Sequence, residues 1–257
     1  MIKIAVPNKN YFKILIDNFS NKASEYGLEL MQTSETEIEK LLVNDQIDIA
    51  LLNPLNYGKS LLSDEFELIP TTCLSGVNFT DLEHIYFSKN LVNIHNLGIK
   101  ENEKYISLIT KIVLSEKYNF EIITDTYENA ANDFHKFDAI LTDEKIEGNQ
   151  NHLDLCEEWH DAAEYELPLG FWVAKKGHDA ELYAKIINEI ASDELKDQSL
   201  VNENIVKTHT TYKRDGFIKY KFDTDTENAI DNVMELLYQL GYLKEITESK
   251  ISQNQDK

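Results

Sequence analysis

Four short stretches of this chain carry side chains that could work on a small molecule. Pro7-Asn8-Lys9-Asn10-Tyr11 follows the first strand-like run, and Asn53-Pro54 follows the third. Glu101-Asn102-Glu103-Lys104-Tyr105 opens a helical pattern, and Thr71, Thr72 and Ser75 close another strand-like run. The groups on offer are amides, hydroxyls and ammonium groups, which hold and orient anionic or polar ligands. Each has a plainer reading. Asparagine after a strand is first a turn residue. Lys9 suits the start of a surface helix, and Asn102 suits an ordinary N-cap. The threonine hydroxyls can simply satisfy backbone groups. A helix N-terminus at Asn102 would attract a carboxylate, but Glu101 and Glu103 oppose it.

His152, Cys156 and His160 recur at i, i+4 and i+8, which on a helix puts them on one face. That invites a zinc reading. Closed zinc sites usually draw ligands from two segments, so a buried cysteine with half-exposed histidines is the commoner outcome and no metal is expected. The chain has only 9 glycines and lacks the spacing of a phosphate loop. No serine sits in a nucleophile elbow.

The elements that must position these groups belong to a chain of 257 residues with a formal net charge of −21. That length allows one large domain or two ordinary ones, with a real core either way. The acidic excess disfavours nucleic acid, whose phosphates demand basic residues, and anionic membrane. It does not disfavour a small anion in a locally positive pocket. Two cysteines, Cys73 and Cys156, are too few for a disulfide framework. The first residues enter a strand pattern with no signal-peptide layout, and no run is long enough to cross a membrane. A cytoplasmic location is the expectation.

Ile2, Ile4 and Val6 alternate as a strand. Tyr11, Phe12, Leu15, Ile16 and Phe19 recur at helical spacing, with Gly27 suited to a helix end. Leu28–Met31 reads as a strand, Ser34 and Glu37 as a capping box, and Ile47–Leu52 as a buried parallel strand. Further strands fall at Phe66–Thr72 and Leu82–Phe87, separated by a Ser75–Thr80 loop. The pattern then starts again. Leu97–Ile99, Phe120–Thr124 and Phe137–Leu141 read as strands, and Glu103–Tyr118 and Tyr127–Phe134 as helices. Leu155–Lys176 brings the chain back through a helix-like run, a Pro168–Gly170 turn and a strand at Phe171–Ala174. Asp179–Ala191 is amphipathic. Thr224 and Glu227 form a second capping box, Gly241 ends the last helix, and Ile246–Lys257 reads as a frayed polar tail. The class is α/β, with lobe 1 formed by 1–88 and 168–257 and lobe 2, residues 89–167, inserted. Ligands in such folds sit at strand ends, between lobes.

The return stretch resembles the futalosine-pathway menaquinone biosynthesis family, which includes chorismate dehydratase. The matching residues are Asp154, Leu155, Glu157, Glu158 and Trp159, then Leu167-Pro168-Leu169 and Phe171-Trp172-Val173-Ala174. Asp48–Leu51 with Tyr57, Leu82–Ser88, Ile112–Tyr118, Phe137–Ile140 and Leu236–Leu243 resemble it more diffusely. The resemblance implies a two-lobed, periplasmic-binding-protein-like (type II) fold. It also implies a lyase that removes water from a cyclic enolpyruvyl dicarboxylate without a cofactor. On that pattern Asn8 and Asn10 orient the reacting groups as the catalytic pair. Lys9 pairs with an anion, and Asn53, Thr72, Asn102 and Tyr105 line the ligand.

The departures fall in the lining. The family's Tyr-x-Asn motif has no clean counterpart at 7–11. Pro54 stands where the family has serine, Glu101–Tyr105 replaces a Ser/Thr-rich turn, and Thr142-Asp143 replaces an Ile-Gly-Asp turn. A non-catalytic binding protein with a different small ligand is therefore the alternative, and a paralogue acting through protein contacts a third reading. The expected partner is a small anionic aromatic or cyclic carboxylate, bound by a monomer or homodimer.

Overall fold

The computed structural model describes residues 1–60, 65–88, 93–101, 103–147, 151–207 and 210–245, without the side chains of 205–211. Asn102, Gly148 and the tail 246–257 lie outside the described residues. The chain divides into two units. The first is Met1–Ser75, Pro168–Ser199 and Lys219–Lys257; the second is Gly76–Leu167 and Leu200–Ile218.

The chain starts in the first unit with β1 (Ile2–Pro7), α1 (Phe19–Tyr26), β2 (Leu28–Thr33), α2 (Glu35–Val43), β3 (Ile49–Leu52) and α3 (Pro54–Ser60). Parallel β1 pairs with β2 from Ile2↔Leu28 to Pro7↔Thr33, and with β3 at Ile4↔Ile49 and Ala5↔Ala50. Near-continuous apolar runs suit these strands, because Ile4–Val6 and Ile49–Leu52 are all buried. The predicted helix from Tyr11 to Phe19 is in fact two pieces. A 3-10 turn at Asn10–Leu15 ends where Ile16 leaves helical geometry at φ −136°, and α1 starts afresh at Phe19. Gly27 ends α1 at φ +63°, and the Ser34 hydroxyl accepts from Glu37 N–H at 3.3 Å.

β4 (Phe66–Asn78) runs through the predicted Ser75–Thr80 loop without a break until Asn78, which takes φ +59°. The second unit holds β5 (His84–Phe87), β6 (Asn96–Lys100), α4 (Lys104–Tyr118), β7 (Ile123–Tyr127), α5 (Ala130–Asp133), β8 (Ala139–Thr142), β9 (His152–Asp154) and α6 (Leu155–Ala163). Its sheet order is β7-β6-β8-β5-β9. This corrects the predicted boundary at residue 88. β5 is hydrogen-bonded between β8 and β9, so it belongs with the second sheet.

The chain re-enters the first unit in β10 (Leu167–Lys175), followed by α7 (Ala180–Ile190), the hairpin strands β11 (Gln198–Lys207) and β12 (Thr210–Lys221), and α8 (Thr224–Gln239). The seven-stranded sheet has the order β11-β12-β4-β10-β3-β1-β2. The unit division falls inside β11 and β12, so Leu200–Ile218 leaves the predicted lobe 1. α8 is capped by Asp223, which accepts from Thr226 N–H at 3.0 Å, in place of the predicted Thr224–Glu227 box.

The predicted Pro168–Gly170 turn is also strand. Pro168 is tolerated because it lies ahead of Phe171–Ala174, the residues that pair with β3. Gly170 serves close packing: a Cβ there would lie 2.6 Å from Cε1 of Phe12. Phe12 is only 1% exposed and has nowhere to go. Gly170→Ala is expected to cost about 2 kcal/mol of stability, as overpacking does, read as a lower urea midpoint at unchanged slope.

Candidate functional site

Because β1 and β3 are parallel neighbours, their C-terminal ends fall at the same end of the sheet. That is where α/β folds bind ligands. Lys9 follows β1 and is only 7% exposed, with its ammonium 5.6 Å from the centre of the Tyr11 ring. Asn8 and Asn10 flank it and are exposed. Asn53 follows β3 and is 2% exposed. Its Oδ1 accepts from Asn56 N–H at 3.0 Å, which orders the first turn of α3. Its Nδ2 is buried and has no hydrogen-bond partner among the described residues. A buried amide N–H left unpaired costs the desolvation of that group, so an absent acceptor is the natural inference.

The other predicted lining residues have settings of their own. Thr72, on β4 and half-buried, accepts a 3.1 Å hydrogen bond from Trp172 Nε1. Tyr105 is fully buried in the first turn of α4, in the second unit. α4 is preceded by Glu103 as N-cap residue, without a side-chain cap bond. The structure thus brings Lys9 and Asn53 to one strand end, with Asn8 and Asn10 beside Lys9. A cation and an amide donor there can hold an oxyanion.

A second polar cluster lies in the second unit, and of its members sequence reasoning weighs only His152 for chemistry, as a zinc candidate. In antiparallel pairing, His84 faces Asp154 and Tyr86 faces His152, so all four share one face of β5 and β9. The rings of His84 and His152 are 5.2 Å apart, and those of Tyr86 and His152 5.1 Å. Asp154 is fully buried. It accepts from Asp81 N–H at 2.7 Å, from Glu157 N–H at 3.0 Å and from the Thr80 hydroxyl at 3.3 Å. Arg214 clamps Glu157 and reaches Glu203 at 3.3 Å, while Lys145 holds Asp81 at 2.6 Å. The one sequence signal for this network was Asp154 three residues ahead of Glu157, the spacing of a helix cap. Its burial closes it to substrate; the network fixes the start of α6.

Burial pushes the pKa of His84 down to about 4 and that of Asp154 up to about 6. The two act oppositely on stability. As pH falls from 6.5 towards 4, unfolded His84 takes a proton that the folded chain refuses, and stability drops. As pH falls from about 6 towards 3.8, folded Asp154 takes a proton that the unfolded chain refuses, and stability rises. Each shift corresponds to about 3 kcal/mol, so the pair nearly cancels. Asp154→Asn removes one arm. Between pH 7 and pH 4 this variant is expected to lose about 3 kcal/mol more than the unmodified chain, read from urea midpoints.

The predicted common face of His152, Cys156 and His160 does not exist. α6 begins only at Leu155, so His152 stands on β9. Cys156 is fully buried, with its thiol pKa raised by burial and its Sγ only 2.4 Å from where a Cβ on Gly76 would lie. Among the described residues no group of three or more His, Cys, Asp or Glu side chains could hold a metal ion. Trp159 and Trp172 are core residues at 1% and 0% exposure.

No family profile and no curated protein matches this chain. Solved structures do. An ABC transporter protein from Parabacteroides distasonis is 12% identical with a TM-score of 0.61, over 99% of both chains. The periplasmic aliphatic sulphonate binding protein SsuA from Escherichia coli is 9% identical with a TM-score of 0.58, over 100% of this chain and 95% of that one. Protein AF1704 from Archaeoglobus fulgidus is 13% identical with a TM-score of 0.57, over 93% and 97%. At such identities the likeness shows fold alone: this chain has the α/β, two-sheet fold of type II periplasmic binding proteins.

Proposed function

We propose that the chain binds a small anionic ligand, a carboxylate on a cyclic or aromatic body, at the strand ends that carry Lys9 and Asn53. The observation behind this reading is the buried Asn53 Nδ2, a donor without an acceptor, next to the strand end that carries the buried Lys9. In a chain of net charge −21, a cation held inside is a local exception that suits an anion. The fold supports the reading, since SsuA, with the same fold, is a sulphonate binding protein. Titration calorimetry with aromatic and cyclic carboxylates and their methyl esters tests it. The acids bind and the esters do not; equal binding of both, or none by either, rejects it.

A second reading is a lyase of the chorismate-dehydratase kind, favoured by the Asp154–Ala174 residue set. In that reaction a ring C–O bond breaks, a ring proton leaves and the ring becomes aromatic. The step is downhill, and orientation by fixed donors supplies much of the rate. Asn8 and Asn10 would orient the leaving hydroxyl, and Lys9 would hold a carboxylate. Incubation with chorismate decides: a product lighter by one water supports the lyase, and unchanged chorismate at high protein concentration leaves binding alone.

A further inference from the structure

The second unit contains an apolar cavity of about 270 Å³ that the anion site does not use. One wall is the edge of the sheet opposite the His84 face. Leu153 pairs with Ile85, and Phe87, two residues on from Ile85, points to the same side. The other wall is the end of α4. Leu114 and Tyr118, four residues apart, share one helix face, and the helix stops at Asn119 with φ +55°. Phe120 follows, and its ring lies parallel to that of Tyr118, with centres 5.9 Å apart and planes at 17°. Tyr118 is 38% exposed, so this aromatic wall is reached from solvent.

The polar groups at the rim are already engaged. The Tyr118 hydroxyl donates to Glu158 at 2.7 Å, and burial together with that bond pushes its pKa up to about 12, so the ring stays neutral. Lys117 is bound to Glu158 at 2.7 Å and to Asp161 at 2.8 Å. The Asn93 amide accepts from Ile94 N–H at 3.0 Å and meets His95 Nε2 at 3.1 Å. An anion entering here would meet the Glu158 carboxylate and a committed lysine. A neutral ring would meet leucines and three aromatic rings, Phe87, Tyr118 and Phe120.

We infer that this cavity is a second binding site, for an uncharged flat aromatic molecule of one or two fused rings. Size supports the class: a dry apolar cavity of about 150 Å³ takes benzene, and this one is nearly twice as large. It falls a little short of a drug-sized pocket, which suits a fragment. Ring-on-ring contact with Tyr118 and Phe120 gives selectivity for a π face over an aliphatic body.

The test is an NMR titration of the full chain with indole, following the methyl groups of Leu114 and Leu153. Saturable shifts at both are expected, with a Kd of about 1 mM or tighter, while benzoate at the same concentration moves neither. Leu153→Trp fills the space and abolishes the shifts. Should that variant fail to fold, Phe120→Leu removes half of the aromatic wall and weakens indole about fivefold. The inference is overturned if neither methyl moves with indole, or if benzoate binds equally.

Discussion

Lys9→Met is expected to lower the affinity for a small aromatic carboxylate about a hundredfold or more. The side chain is almost the same length, so the packing beside Tyr11 is kept while the charge is lost. A buried ligand carboxylate would then face no cation, and breaking such a pair costs about 3 kcal/mol. Lys9→Arg keeps the charge but brings a planar fork to a site shaped for a point donor, so it recovers only part of the loss. Asn53→Asp is the sharper companion. The new carboxylate keeps an oxygen for Asn56 N–H and therefore keeps the cap on α3. It removes the Nδ2 donor and sets a negative charge against the ligand. Binding should fall as far as in Lys9→Met, and the melting temperature falls too, because the new carboxylate is buried at a position only 2% exposed. Calorimetry gives the affinities and thermal melting gives the stability of each variant. Affinities are compared well below the melting temperature of each variant, so that a loss of binding is read on folded protein.

The largest expected effect on stability is at Gly216. A Cβ at this position in β12 would lie 2.4 Å from the carbonyl oxygen of Val77 and 2.5 Å from both N and O of Phe79. These are backbone atoms and cannot rotate away as a side chain could. Gly216→Val therefore forces β12 away from the chain at 77–79. It also disturbs Arg214 two residues earlier, whose guanidinium lies 4.3 Å from the centre of the Phe79 ring and clamps Glu157 at the start of α6. The loss is expected at about 3 kcal/mol or more, the upper end for overpacking, and shows as a urea midpoint far below that of the unmodified chain. Gly27→Ala gives the contrast. Nothing lies within 4 Å of its added Cβ, so only the left-handed backbone at φ +63° is penalised, at about 1 kcal/mol.

Much of the first unit could be read from local pattern. The alternation of Ile2, Ile4 and Val6 and the apolar run Ile49–Leu52 are strands because both faces are covered, which leaves an unbroken hydrophobic signature. The Ser34 cap and the Gly27 helix end are local chemistry and appeared where their residues stand. What failed was non-local. Pro168 and Gly170 look like a turn until the partner strand and the Phe12 ring are in place. β11 and β12 went unread because their residues are mostly polar, with no short turn signature to announce a hairpin. That gap, with β5 assigned to the wrong sheet, displaced the domain boundary. In the candidate site, Lys9 and Asn53 were named from their positions after strands. Their burial, and the unpaired Nδ2, depend on which strands are neighbours. Tyr105 was named from its place at a helix start, and the structure buries it completely in the second unit.

The most direct test follows the side-chain amide of Asn53 by ¹⁵N NMR during titration with an aromatic carboxylate. The two Nδ2 protons are expected to shift and saturate at the Kd measured by calorimetry, with the shift absent in Lys9→Met at the same ligand concentration. A carboxylate that binds while the Asn53 amide stays unmoved would contradict the assignment of the anion site to the ends of β1 and β3.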